Sequence, residues 1–257
     1  MVPTLVASDS GPANAPAVVL LHSLATSSAM WAPQLPIWSE HFRIVNVDLP
    51  GHGACPPPDG ALTFSGLGAA VCALLDARSI PAAAVVGLSL GGMTAQAFAI
   101  EHPERVRALV LAHTLAFATD AMRRTWDERI ASVEALGMDG QVESTIERWF
   151  TPEFRTAAPL TTAWIARMIR ATDPRGFAAA GRAIQSLDHL ERLAAVTAPA
   201  LVVAGKHDPG APPAAAEAMA AKLRRSELTL LESSHLGNVE QATAFTETVG
   251  AFLERTA

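Results

Sequence analysis

The chain has 257 residues, half of them apolar and 17% charged, with 25 acidic against 19 basic side chains for a net charge of −6. That composition is too apolar for a disordered segment, and a chain of this length buries roughly 70–75% of its unfolded surface, enough for one sizeable core. No run of like charges marks a nucleic-acid footprint, so a small molecule is the expected partner.

Residues 1–16 lack the basic start and apolar centre of a secretory signal. Cys55 and Cys72 read as two thiols of a reducing compartment rather than a disulfide pair, so the expected location is cytoplasmic. Short apolar or β-branched runs follow at 17–21, 44–47, 83–87, 106–112, 200–204 and 228–231, the pattern of buried parallel strands. Helical patterns at 62–78, 93–100 and 213–223 alternate with them, which predicts an α/β architecture with a doubly wound, mostly parallel sheet. Residues 81–100 carry no charge and are long enough to cross a bilayer, but Gly87, Ser89, Gly91, Gly92, Thr94 and Gln96 interrupt them, so they read as strand, turn and helix and no membrane span is expected.

The alternation stops after residue 116. Helical periodicity takes over, with Met122, Trp126, Ile130 and Val133 as one apolar stripe and Trp164, Ile165, Met168 and Ile169 as another. We therefore expect a core of 1–116 and 196–257 and a helical cap inserted as 117–195 over the open end of the sheet. Arginines and acidic residues balance in the cap, which leaves no basic face, although single arginines are able to meet a bound carboxylate. Apolar cap surface would suit a homodimer without requiring one.

The chemistry concentrates at strand ends. Gly87-Leu88-Ser89-Leu90-Gly91 is a G-x-S-x-G turn between a strand and a helix, a context that lifts the Ser89 hydroxyl out of a tight bend and makes it the candidate nucleophile. A serine needs a base, and the base needs a group that orients it. Asp208 follows the run 200–204 and His235 follows 228–231; loops at the strand ends of an open α/β sheet meet at one crevice, and the order Ser, Asp, His is that of the α/β-hydrolase fold. Of the other histidines, His207 and His102 read as surface residues and His52, in a glycine turn, as structural. Backbone N–H groups of Leu90 and of Leu24, in the loop after 17–21, are the expected oxyanion hole, and Ser23 in that loop is a candidate substrate contact. No histidine or cysteine spacing suits a metal, so neither metal nor cofactor is expected.

Six segments together resemble the 3-oxoadipate enol-lactonases over nearly the whole chain: residues 21–27 (LHSLATS), 48–53 (DLPGHG), 87–93 (GLSLGGM), 148–152 (RWFTP), 207–209 (HDP) and 235–240 (HLGNVE). The resemblance implies hydrolysis of a lactone that bears a carboxylate and makes Trp126 a substrate-contacting cap residue. It also exposes departures. The segment before Val18 is short for the family's N-terminal hairpin, which implies a missing edge strand. His189 stands where the lactonases commonly carry an arginine, and Ala211 where they carry a threonine.

Fold does not set the substrate. The same triad suits a general carboxylesterase, a carbon–carbon bond hydrolase or a perhydrolase, and the non-enzymatic alternative is a small-molecule receptor. Dehalogenases and epoxide hydrolases are disfavoured because their nucleophile is an aspartate.

Overall fold

The computed structural model describes residues 2–257. Its frame is a seven-stranded sheet: β1 (Val6–Ser10), β2 (Ala17–Leu21), β3 (Arg43–Asp48), β4 (Ala83–Leu88), β5 (Val106–Ala112), β6 (Ala200–Gly205) and β7 (Ser226–Leu231), in the spatial order β1-β3-β2-β4-β5-β6-β7. All neighbours run parallel except β1, which pairs antiparallel with β3.

The six apolar runs correspond to β2 through β7. Every residue of β2, β4 and β6 is buried, as expected of parallel strands covered by helices on both faces. β1 was not among the six runs. Its sequence, VASDS, is half to fully exposed at the sheet edge, so burial leaves no apolar signature there. It stands as a single strand; among the described residues no second strand precedes it.

The strand order reverses at β2. From β2 the chain moves outward to β3, then returns past β2 to β4 and proceeds toward the opposite edge. Loops leaving the carboxyl ends of β2 and β4 therefore diverge, and the gap between them is a ready binding crevice.

Helices α1 (Phe64–Asp76) and α2 (Leu90–Glu101) follow β3 and β4. Helix α2 starts three residues before the predicted 93, because Gly91 and Gly92 lie inside its first turn instead of ahead of it. Their lack of side chains has a tertiary cause: a Cβ on Gly91 would sit 2.1 Å from the Leu21 carbonyl oxygen at the end of β2.

Between Ala112 and Ala200 no strand is formed among the described residues. The main helices there are α3 (Asp120–Leu136), α4 (Val142–Trp149), α5 (Pro159–Ala171) and α6 (Pro174–Gln185). Three start on side-chain or proline signals: Thr119 caps α3, Pro159 opens α5, and Asp173 with Pro174 opens α6. Each predicted stripe turns inward. Trp126, Ile130 and Val133 of α3 are buried, and Ile165 and Ile169 of α5 are fully so.

Several contacts fasten the helical layer to the core, two of them where the chain enters and leaves the layer and after β3. Phe117 and Asp188 form an antiparallel bridge where the chain enters and leaves the layer. Gly51, after β3, meets Gly176 of α6 so closely that a Cβ on Gly176 would lie 2.4 Å from the Gly51 Cα, and the Asp173 N–H donates to the Gly51 carbonyl at 3.0 Å. The chain closes with α7 (Pro213–Lys222) and α8 (Ala242–Thr256). Cys55 and Cys72 are both free thiols. Among the described residues no helix is long and apolar enough to cross a membrane.

Candidate active site

Ser89 sits between the last residue of β4 and the first of α2 with φ 54° and ψ −114°, a conformation that few non-glycine residues adopt. Its neighbours hold it there. The Ser89 N–H donates to the Ala112 carbonyl at 2.9 Å, the Thr114 hydroxyl donates to the Ser89 carbonyl at 2.7 Å, and the Gly91 N–H donates to the His22 carbonyl at 3.0 Å. The strain is thus carried by β5 and by the loop after β2.

From this turn an unbroken hydrogen-bond chain runs across the sheet. Ser89 Oγ lies 2.9 Å from His235 Nε2, and His235 Nδ1 lies 2.8 Å from Asp208 Oδ2. Because a carboxylate only accepts, His235 carries its proton on Nδ1, which leaves Nε2 free to accept from the serine hydroxyl. Asp208 Oδ1 accepts the N–H groups of Gly210 at 2.8 Å and Ala211 at 2.9 Å. Burial alone would raise the Asp208 carboxyl, but the facing His235 and His113 outweigh it and hold the group below the usual carboxylate range. At 211 the useful group is the backbone N–H, which alanine supplies.

The loop after β2 is anchored by His22. The Leu49 N–H donates to Nε2 at 2.9 Å and Nδ1 donates to the Ser23 carbonyl at 2.7 Å, the arrangement of a neutral ring, and burial holds its pKa low. Leu24 therefore lies against the serine turn. Among the described residues, neither the Leu24 nor the Leu90 N–H donates to a protein acceptor. Ser23 is fully buried, lines the same cavity, and its hydroxyl has no protein partner among the described residues.

These groups floor a cavity of about 350 Å³, roofed by α3, α4 and α6 through Met122, Trp126, Arg129, Arg148, Trp149 and Ile184. Its size is that of a small-ligand site. Trp149 stacks on the His235 ring, 6.1 Å between centroids at 28°. Trp126 is both wall and core: it lines the cavity, is 9% exposed and packs on Phe177.

The contributors not singled out by sequence include Glu240, His113 and Arg129. Glu240 is buried and joins its own loop to Thr151, 89 residues earlier: one carboxylate oxygen accepts the Thr151 N–H at 3.0 Å and the Thr151 hydroxyl, and the other accepts the Ser234 N–H at 2.8 Å. The base loop is thereby tied to the helical layer. His113, at the end of β5, is fully buried with φ 46° and lies 3.7 Å from Asp208; burial keeps it neutral. Its place directly after a strand end was the available signal. Arg129 shows no motif at all, and only the packing of α3 turns it into the cavity.

His207 is exposed beside Glu232, as its sequence position suggested. His52 is buried with Nδ1 on the Pro50 carbonyl at 2.9 Å and lies outside the cavity lining, a structural residue of the turn. His189 is also buried, edge-on to Phe64. Among the described residues no three His, Cys, Asp or Glu side chains are grouped to hold a metal ion.

Comparison with known proteins agrees with this geometry. The family model described as alpha/beta hydrolase fold matches residues 16–242. The chain belongs to the α/β-hydrolase family. This hydrolase is 33% identical to 3-oxoadipate enol-lactonase 2 of Acinetobacter baylyi over 95% of its own length and 91% of that protein. It is 32% identical to 3-oxoadipate enol-lactonase 1 of the same organism over 98% and 93%. Among solved structures, the enol-lactonase from Burkholderia xenovorans LB400 superposes with a TM-score of 0.94 at 34% identity, covering 97% of this hydrolase and 96% of that chain.

Proposed function

We propose that this enzyme hydrolyses a small lactone or carboxylic ester through an acyl-enzyme on Ser89, with 3-oxoadipate enol lactone as the preferred substrate. The observation that carries the reading is the continuous hydrogen-bond chain from Ser89 through His235 to Asp208 at the floor of the cavity. The relatives named above support the lactone.

In this reading Ser89 Oγ attacks the lactone carbonyl carbon as His235 Nε2 takes the hydroxyl proton. The Leu24 and Leu90 N–H groups, free of protein acceptors, receive the developing oxyanion; one such donor is typically worth about 2.7–4 kcal/mol. The ring C–O bond breaks, the enolate oxygen takes the proton from His235, and the enol end tautomerises to a ketone. Water, deprotonated by His235, then attacks the ester on Ser89 and releases a 3-oxo diacid with Ser89 restored. Asp208 orients His235 throughout and stabilises its cation. The helical layer 117–195 acts as the cap that excludes bulk water.

The test is ring opening of 3-oxoadipate enol lactone beside 4-nitrophenyl acetate, with wild type and Ser89→Ala. The expected result is a preference for the lactone by several orders of magnitude, and a loss on the order of a million-fold in kcat in the variant. Turnover of the activated ester alone would make the enzyme a carboxylesterase; ligand-induced stabilisation with no product from either compound would make it a receptor.

A further inference from the structure

Asp208 faces two imidazoles, and the acyl-transfer steps use only one of them. His235 Nδ1 lies 2.8 Å from Asp208 Oδ2, and His113 Nδ1 approaches the same oxygen at 3.7 Å. The two rings stand edge-on, at 75° with 6.3 Å between centroids. His113 is fully buried, and its backbone N–H donates to the Val203 carbonyl at 2.8 Å, which ties it to β6, the strand that leads to Asp208.

Packing alone does not ask for a histidine here. Among the described residues neither ring nitrogen has a hydrogen-bond partner, and a buried polar group left so costs stability that a leucine in the same space would not. The surroundings are nevertheless shaped to the ring. Gly237, two residues after His235, leaves open the space at its far edge: a Cβ there would lie 2.3 Å from His113 Nε2 and 2.8 Å from Ser233 Oγ, which is itself buried without a partner. The loop that carries the base thus makes room for His113, and the near edge of the ring meets the acid.

Burial, helped by the facing His235, keeps the ring neutral against the pull of Asp208 and Glu240. The Glu240 carboxylate is engaged by Thr151 and Ser234, so Asp208 is the acid in contact. Of the two neutral forms of the ring, the one protonated on Nε2 would turn a lone pair toward the carboxylate; the one protonated on Nδ1 points an N–H at it. A separation of 3.7 Å admits no water and is only a few tenths of an ångström beyond hydrogen-bond length, a gap that catalytic contacts close as the reaction proceeds.

We propose that His113 is a positioning residue for Asp208, its Nδ1–H serving as a second donor to the oxygen that orients His235. Oδ1 is already held by the Gly210 and Ala211 N–H groups, so the carboxylate is fixed at both oxygens. The added dipole offsets part of the negative charge that favours a cationic His235, and the base stays unprotonated to lower pH. The inference rests on the hydrolase reading for its effect on turnover, whereas the tautomer and proton exchange are measured in the resting protein.

Long-range proton–nitrogen NMR of the histidine-labelled protein should place the His113 proton on Nδ1 near neutral pH; a proton on Nε2 would overturn the proposal. The pH profile of kcat/KM for 4-nitrophenyl acetate is then compared in wild type, His113→Leu and His113→Asn. His113→Leu fills the space without a donor, and the acid limb should move up by about one pH unit, about a tenfold loss on the limb, with KM little changed. His113→Asn, whose amide nitrogen is able to take the place of Nδ1, should restore most of that shift. Gly237→Ala drives a methyl group into the ring and should displace the limb as His113→Leu does. If His113→Leu and His113→Asn lower kcat/KM equally at every pH and leave the limb in place, His113 only fills space and the proposal falls. If the wild type turns over no ester, the hydrolase reading falls instead and the His235 Nδ1 proton decides: faster exchange with water in His113→Leu than in His113→Asn upholds the contact, and equal exchange ends it.

Discussion

The two walls of the cavity are built by different physics. On the sheet side, Ser89, His235 and Asp208 stand at strand ends, their backbone fixed by ladders and by contacts such as Gly91 against Leu21 that leave no room for a methyl group. Their polar atoms are paired with one another. On the helical side, the groups facing the cavity are aromatic rings and two arginines without counter-charge, placed by side-chain packing on the helices of the inserted layer. Under the proposed function the two walls divide the labour: the sheet wall holds the reacting atoms, and the helical wall selects which molecule is presented to them.

Substitutions on the two walls should therefore fail differently. The largest effect is expected on the sheet side from Asp208→Asn, which keeps the shape but offers His235 the wrong hydrogen-bonding partner; pre-steady-state kinetics should show a loss of about 10⁴ in kcat with little change in KM. A comparable rise in KM would place Asp208 in substrate binding instead. Next, Gly91→Ala forces a Cβ against the Leu21 carbonyl, and denaturant unfolding should show a loss of about 3 kcal/mol or more.

Glu240→Gln tests the join between the walls. Weakening the Ser234 and Thr151 hydrogen bonds should cost about 1–3 kcal/mol of stability and release the base loop from the helices, seen as faster hydrogen exchange at both Thr151 and Ser234. Faster exchange at one of them alone would mean that the carboxylate does not couple the segments.

The smallest effect at neutral pH comes from His52. Burial holds its pKa at about 3 against an ordinary 6.5, so the folded chain keeps it neutral while the unfolded chain takes up a proton. Stability is then complete above about pH 6.5 and falls as pH drops toward about 3. His52→Gln should flatten that fall in urea titrations across the same window, and an unchanged slope would assign the acid sensitivity to the other buried histidines, His22, His113 and His189.

The strongest sequence signals came from local constraints. β2, β4 and β6 were legible because full burial on both faces leaves unbroken apolar runs, β7 by its leucines although it is mostly exposed, and the serine turn because close backbone approach demands glycine at fixed offsets. β1 was invisible because its residues, VASDS, form no apolar run. The start of α2 was misplaced because Gly91 and Gly92 resemble a turn until β2 is seen beside them.

Order along the chain thus determined the fold class and pointed to Ser89, His235 and Asp208 as the candidate nucleophile, base and acid, since each follows from a strand end and a short-range pattern. Tertiary structure alone decided that Arg129 lies on Trp126 inside the cavity, that Glu240 bridges the base loop to Thr151, and that His113 packs beneath Asp208. Those contacts join residues from separate elements, and no local backbone rule encodes which face of a helix meets which loop.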